Sequence, residues 1–600
     1  MTDQPAIDVA GADVENIPLA SDDLKAEILS RAVAGSLLDA IFSEYGQRWL
    51  RDDDPLLLAL ADLHNAGDID LLALITPQSI EPYKGPKFFC GQHIYRALIS
   101  RLEASAEALV NVVQTLIEAA GQDMAATLPV EQFATWCSLD PARPAELLAL
   151  VDAKAPHADR FLTIAIKQGV AVDRSYFLER AYSFLETGNE TEVQCAINAL
   201  GQIDLPADAD WDRLIDAFSQ LLARDPADPV RSSLLTAVAR RLNGAPPKRK
   251  DHLTQVGIAA IKAGGDLTID TAARTLAFDD DHLTDALADE LLNTLLGIKG
   301  ANKGSVQTLD MAMMRMVERG YAERARLFLE RLLKREDDRI ELEELDSLCY
   351  KLKEVGGQTL EDWVVAWLLD GDLDLCAALN DALFDAGSDE FVFRIDFARF
   401  TLRGVDYPYL ARKAIATFLL KPTLIASLLI SLLRTAKPVA ADEIIELFID
   451  PLLINYGGIT EKVLKPVASD DKDPAQSAVQ RAIDGQEAYI FGLRSAGTVL
   501  ELHPSARERR LEWQRHADRM SEAMREARKR SILASLATES IVLYGASAVS
   551  WFKDPNDERR RIETPMASIS HSIEMPRVDI IDPIGLQLMR IRFRAERRPA

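Results

Sequence analysis

A helical pattern that recurs through the middle third of the chain sets the tightest limit on its fold. Val193, Val230, Ile269 and Val306 open four similar segments, spaced 37, 39 and 37 residues apart. Behind each stands a matching set: Ala196, Ile197 and Leu200; Ser233, Leu234 and Ala237; Ala272, Ala273 and Leu276; Leu309, Asp310 and Met313. Only Ser233 and Asp310 break the apolar rule. A period of this length fits two helices and a turn, a unit that cannot bury its apolar face alone and must stack on its neighbours. The second helix of each unit is marked as clearly. Trp211, Leu214, Ile215, Phe218, Leu221 and Leu222 form one stripe, and Leu283, Leu287, Leu291 and Leu295 form another.

One unit opens with Asp228-Pro229-Val230-Arg231, which resembles the Pro-x-Val-Arg opening of HEAT repeats. The resemblance covers residues 158–335 and loosens after Ile340, where the spacing shortens. It implies an all-α, HEAT-like α-α superhelical solenoid, with the Asp-Pro starting a helix and Val230 and Arg231 packed between neighbouring units. The organisation expected is a disordered N-terminus (1–20), a helical region (21–157), HEAT-like repeats (158–435), a helical continuation and linker (436–504), and a small α+β C-terminal cap (505–600).

A chain of 600 residues is too long for one compact core, which agrees with an array. The net charge of −26 keeps such a body soluble and weakly repels nucleic acid and anionic lipid. Five cysteines sit singly in apolar patterns, as reduced thiols of a cytoplasmic protein do. The acidic first residues lack the basic and apolar regions of a secretory signal. The longest apolar run, Ala414 to Leu433, is broken by Lys421-Pro422 and predicts two buried helices meeting at Pro422, not a membrane span. Asp54-Pro55 opens a helix closed by Gly67, and the segment 81–93 reads as a long loop.

The tail differs in charge. Residues 1–493 hold 48 basic and 79 acidic residues, net −31; residues 494–600 hold 20 and 15, net +5. Ser505-Ala-Arg-Glu508 is a capping box, which predicts a helix from there to about Leu536. Along it Trp513, Ala517, Met520, Met524 and Ala527 follow a 4-3-4-3 spacing, a narrow apolar seam. Ile541–Tyr544 reads as a strand. So do Met589, Ile591 and Phe593, which alternate with Arg590, Arg592 and Arg594.

Several motifs resemble reactive sites and are better explained otherwise. Gly545-Ala-Ser547-Ala-Val549 lacks the second glycine of a nucleophile elbow, and Asp554 and His571 follow too closely for the intervening strand–helix units. Cys90 and His93 have half the spacing of a zinc site, with no second pair nearby. The glycine-rich stretch 297–305 places Lys303 before Gly304, the wrong order for a phosphate loop, and reads as a connection between repeats. The basic stretch 246–250 reads as a loop within a repeat. Asp52–Asp54 and Asp279–Asp281 precede helices, where capping and the helix dipole account for them.

The basic residues of the tail are the binding candidates: Arg525, Arg528, Lys529 and Arg530; Arg559, Arg560 and Arg561; Arg590, Arg592 and Arg594. They suit an acidic partner or phosphate, or a contact with the acidic array of the same chain. The function expected is that of a non-enzymatic scaffold or adaptor with protein partners, without cofactor or metal. A nucleic-acid- or phosphate-binding role for the basic region is the alternative, and an enzyme with its site in the cap a second one.

Overall fold

A computed structural model describes residues 21–47, 51, 53–121, 124–384, 391–497, 504–530, 540–541, 547–553, 559–565, 578 and 582–599. They fall into two units, Met1–Lys351 and Leu352–Ala600, and most of their length is helix.

The first unit holds a helical repeat array. Its helices α1 (Arg174–Thr187), α2 (Glu190–Leu200), α3 (Asp208–Leu222), α4 (Asp228–Gly244) and α5 (Pro247–Lys262) are followed by four more. These are α6 (Asp266–Phe278), α7 (Asp285–Leu295), α8 (Lys303–Glu318) and α9 (Ala322–Leu333). Helices α2, α4, α6 and α8 stack in one layer, and α1, α3, α5 and α7 in a second. All four phased segments of the sequence are helices of the first layer. Leu200, Leu234, Leu276 and Met313 are buried, as burial of one apolar stripe per unit requires.

The two residues that break the apolar rule have separate explanations. Ser233 is half-buried at the edge of the stripe. Asp310 is buried and accepts from the backbone N–H groups of Ser347, at 3.0 Å, and Leu348, at 2.9 Å. Those donors open the helix Asp346–Val355, whose first-turn N–H groups have no partner of their own. Asp228 does the same two units earlier. It accepts from Gly265 at 2.6 Å, Leu267 at 2.9 Å and Thr268 at 3.3 Å, and from the Thr268 hydroxyl, at the start of α6. Burial works against that carboxylate, yet the bonds from Thr268, Gly265 and Leu267 hold it below its ordinary range. These two helix starts are thus capped by an acid of the preceding unit. Asp228→Ala should cost about 1–2 kcal/mol of stability and raise hydrogen exchange at Gly265–Thr268; unchanged exchange there would refute the capping role.

Arginines reach the other way. Arg241 donates to the carbonyls of Leu200, at 2.8 Å, and Ile203, and Arg315 to that of Ala277 at 2.6 Å, each at the end of a helix in the preceding unit. Arg231 of the Asp-Pro-Val-Arg segment is buried. It donates to Pro226 at 2.9 Å and to Ala259 of α5 at 3.4 Å, tying the two helices of its own unit. Ion pairs Glu179–Arg213 and Asp212–Arg249 link α1 to α3 and α3 to α5 across the outer layer. Exposed pairs of this kind add little each.

Three local expectations are corrected. The segment 81–93 is not a loop, because Pro86–Ile99 is a helix with Pro86 at its first position, where a missing N–H does no harm. The basic stretch 246–250 lies mostly in α5, where Arg249 meets Asp212. The connection 297–302 ends at Asn302, which caps α8, so Lys303 and Gly304 are already helical. Asp54 caps its helix by accepting from Leu56, and Gly67 follows the helix end at φ +80°, both as expected.

In the second unit, α10 (Gly357–Asp370), α11 (Leu373–Ala378), α12 (Asp406–Phe418) and α13 (Pro422–Leu433) continue the helical packing. The expected break at Pro422 is present, and every residue of α13 is buried. Helix α14 (Ala506–Arg530) begins at the Ser505–Glu508 capping box. Strands β1 (Ser540–Ile541), β2 (Ser547–Lys553) and β3 (Arg559–Pro565) form an antiparallel sheet in that order. The small α+β cap is not supported. Residues 589–594, read as strand from their alternation, lie in helix α15 (Pro583–Ala595), which packs on α12. Among the described residues, the extensive contacts of the sheet run only between its own strands. Alternation misled because Leu586 and Phe593, seven residues apart on one helix face, supply the buried contact instead. No helix among the described residues is long and apolar enough to cross a membrane.

Candidate functional site

The most elaborate polar arrangement in the second unit is the seat of the chain's last described residues on α12. Asp406, at the first turn of α12, is fully buried. It accepts from Arg598 through two bonds, at 2.9 and 2.8 Å, and from the Arg403 backbone N–H at 2.8 Å and guanidinium at 2.9 Å. The Arg598 guanidinium, aided by Arg403, holds the Asp406 carboxyl well below the usual carboxylate range, although burial opposes the shift. Arg403 also donates to the Pro599 carbonyl. One turn further on, Arg412 grips Glu596 through two bonds of 2.7 Å each.

Lys413 lies on the same face, 1% exposed. Its ammonium donates to Gly371 at 3.0 Å and to Arg594 at 2.6 Å, both backbone carbonyls. Burial pushes its pKa down. Gly371 ends α10 at φ +69°, and a Cβ there would collide with the Tyr409 hydroxyl, so glycine serves both the turn and the close approach. A cavity of about 520 Å³ opens beside Lys413, lined by Leu373, Cys376, Asn380, Thr417, Ile591 and Arg594 among others.

Sequence reasoning missed this seat. Its one signal was Arg412-Lys413, which interrupts the apolar run beginning at Tyr409. Asp406 and Arg598 lie 192 residues apart, too far for any local pattern.

The ten basic candidates are distributed over three elements. Arg525 and Lys529 are exposed on α14; Arg528 and Arg530 share that helix, and their side chains lie outside the described residues. Arg559, Arg560 and Arg561 lie in β3, opposite Lys553, Phe552 and Trp551, and Arg561 is exposed. Arg590 is half-buried, and Arg592 and Arg594 are exposed, on α15. No extensive contact among the described residues joins α14, β3 and α15. The contact made by α15 and the residues after it includes Arg598, Glu596 and the backbone carbonyl of Arg594.

The reactive-site resemblances keep their structural explanations. Cys90 and His93 share one helix, and no group of three or more metal-ligating side chains occurs among the described residues. Ser547 opens β2, where an elbow would open a helix; Gly545, Asp554 and His571 lie outside the described residues.

The fold defines a helical repeat protein. No protein-family model matches the chain, and no curated protein matches it. Two solved structures are similar to it. One is an engineered protein, 13% identical, covering 78% of this chain and 98% of its own, at a TM-score of 0.21. The other is a circular tandem repeat protein with novel repeat topology and enhanced subunit contact surfaces, 15% identical, covering 80% and 97%, at a TM-score of 0.18. The description of the array therefore rests on its own helices.

Proposed function

We propose that this chain is a non-enzymatic scaffold of the HEAT-like kind, which presents helical surface to protein partners within a larger assembly. One observation carries the reading: four charged groups of the array, buried Asp310 and Arg241 and half-buried Asp228 and Arg315, join one unit to the next. Asp228 and Asp310 cap following helices, and Arg241 and Arg315 hold preceding ones. What remains outward is a continuous helical surface, suited to recognition of helices or extended segments. The five cysteines are scattered singly along the chain, which suits a reducing compartment such as the cytoplasm.

The test is affinity purification of the full chain from cells that express it, with the intact protein and a variant carrying Glu at Arg559, Arg560 and Arg561. Stoichiometric protein partners are expected. Recovery of nucleic acid alone, lost in that variant and at high salt, would replace the scaffold with a nucleic-acid-binding role for the basic region.

A further inference from the structure

Helix α14 stands apart from the packing seen elsewhere in the second unit. Every residue from Pro504 to Glu526 is exposed, including its apolar seam. Trp513 is 79% exposed, Met524 63% and Met520 50%. A polar 25-residue helix with no packed face among its described side chains is at best marginal in water, because most helical stability comes from tertiary packing of an apolar stripe. Exposed Trp and Met at coiled-coil spacing supply such a stripe.

The charges around the seam say what covers it. With Trp513, Met520 and Ala527 at d, the a positions are Arg510, Ala517 and Met524. The flanking e positions are then Arg507, Gln514, Ser521 and Arg528, and the g positions Arg509, His516, Ala523 and Arg530. Neither border holds a carboxylate. All five acids of the helix, Glu508, Glu512, Asp518, Glu522 and Glu526, fall on the b, c and f positions of the far face. Since e and g charges choose the partner of a coiled coil, two copies of this helix would set arginine against arginine.

We propose that α14 is a recognition helix that pairs, coiled-coil fashion, with a partner helix carrying an apolar a/d seam and Glu or Asp at e and g. Trp513 fills the first d layer as the anchor, and the small residue Ala517 lets the backbones approach. Flexible Met520 and Met524 adapt to the facing side chains. The seam is the narrow a/d stripe of a coiled coil, not the broad apolar face with which a helix lies in a bilayer surface. The proposal rests on the scaffold reading and gives it one specific surface.

The test uses the full chain and two labelled synthetic helices of three heptads, each with Leu at a and d, one with Glu and one with Lys at e and g. Fluorescence anisotropy should show saturable binding of the Glu helix and none of the Lys helix. Trp513→Ala should weaken binding by roughly tenfold or more. Changing Arg507, Arg509, Arg528 and Arg530 together to Glu should reverse the preference, a gain of binding that misfolding could not produce. Equal binding of both helices, no effect of Trp513→Ala, or failure of the reversal would overturn the proposal. So would self-association of the chain abolished by Trp513→Ala, which would name a second copy. Binding to phosphatidylserine vesicles in place of the Glu helix would overturn it in favour of a membrane surface. Co-purifying partners retained without Glu-helix binding would fell this proposal alone. Glu-helix binding without any co-purifying protein would fell the scaffold reading and leave this one standing.

Discussion

Leu234→Asp should unfold its repeat and loosen both neighbours, the largest single-residue effect expected in the array. Leu234 is fully buried on α4, which packs on α2 and on α6. A carboxylate there would have no partner, and such a charge costs several kcal/mol unless it is protonated or the site opens. Because each unit buries its stripe only on adjacent units, the damage spreads one unit each way and then fades. Hydrogen exchange should rise across residues 190–278 and change little at residues 55–120. A uniform loss across the whole chain, or no change at residues 190–278, would contradict this picture.

Removal of residues 583–600 should be nearly as damaging to the second unit. It would uncover the contact of Leu586 and Phe593 and leave Asp406 without Arg598, Arg412 without Glu596, and Lys413 without the Arg594 carbonyl. Breaking a buried pair from one side costs about 3–5 kcal/mol, because the charge left behind has lost both water and partner. Exchange in residues 403–418 should rise strongly, and the denaturation midpoint of the unit should fall. The pH dependence has a definite sign. The Asp406 carboxyl is depressed in the folded state, so its contribution is fully present above the ordinary aspartate value of 3.8 and is lost only as pH falls below it. Protection of residues 403–418, taken relative to the intrinsic exchange rate at each pH, should therefore stay flat from neutral pH down to about that value. A loosening already complete well above it would remove Asp406 as the anchor. Arg598→Ala should reproduce part of the truncation, and Arg598→Lys should rescue it poorly, since one ammonium cannot replace a two-bonded guanidinium.

How much of this could be read from the residues depended on range. The array was legible because its evidence is local and periodic. Val193, Val230, Ile269 and Val306 sit at a fixed place in each helix, and a stripe recurring at that place leaves few other folds. Asp310 was visible as an exception but not as a cap, because its donors lie in the next unit, 37 and 38 residues on. The tail failed for a different reason. Met589, Ile591 and Phe593 alternate with arginines over five residues, too short a window to separate a strand from a helix whose contact face happens to include one of them. The seat around Asp406 and Lys413 was invisible because half of its groups are backbone carbonyls and a distant arginine, neither of which leaves a mark on nearby sequence.

The opposed reach of acids and arginines gives the array a direction. The two kinds of joint alternate: Asp228 and Asp310 cap the helix starts ahead of α4 and α8, while Arg241 and Arg315 on the same helices hold the ends of α2 and α6 behind them. A cut ahead of α4 or α8 bares amide donors, and a cut behind them bares carbonyls. Units of this kind join head to tail and in no other sense, as tiles do whose lip and slot lie on opposite edges. A spliced or shortened array would hold only where each new joint brings either an acid at the Asp228 or Asp310 place against a helix start, or an arginine at the Arg241 or Arg315 place against a helix end.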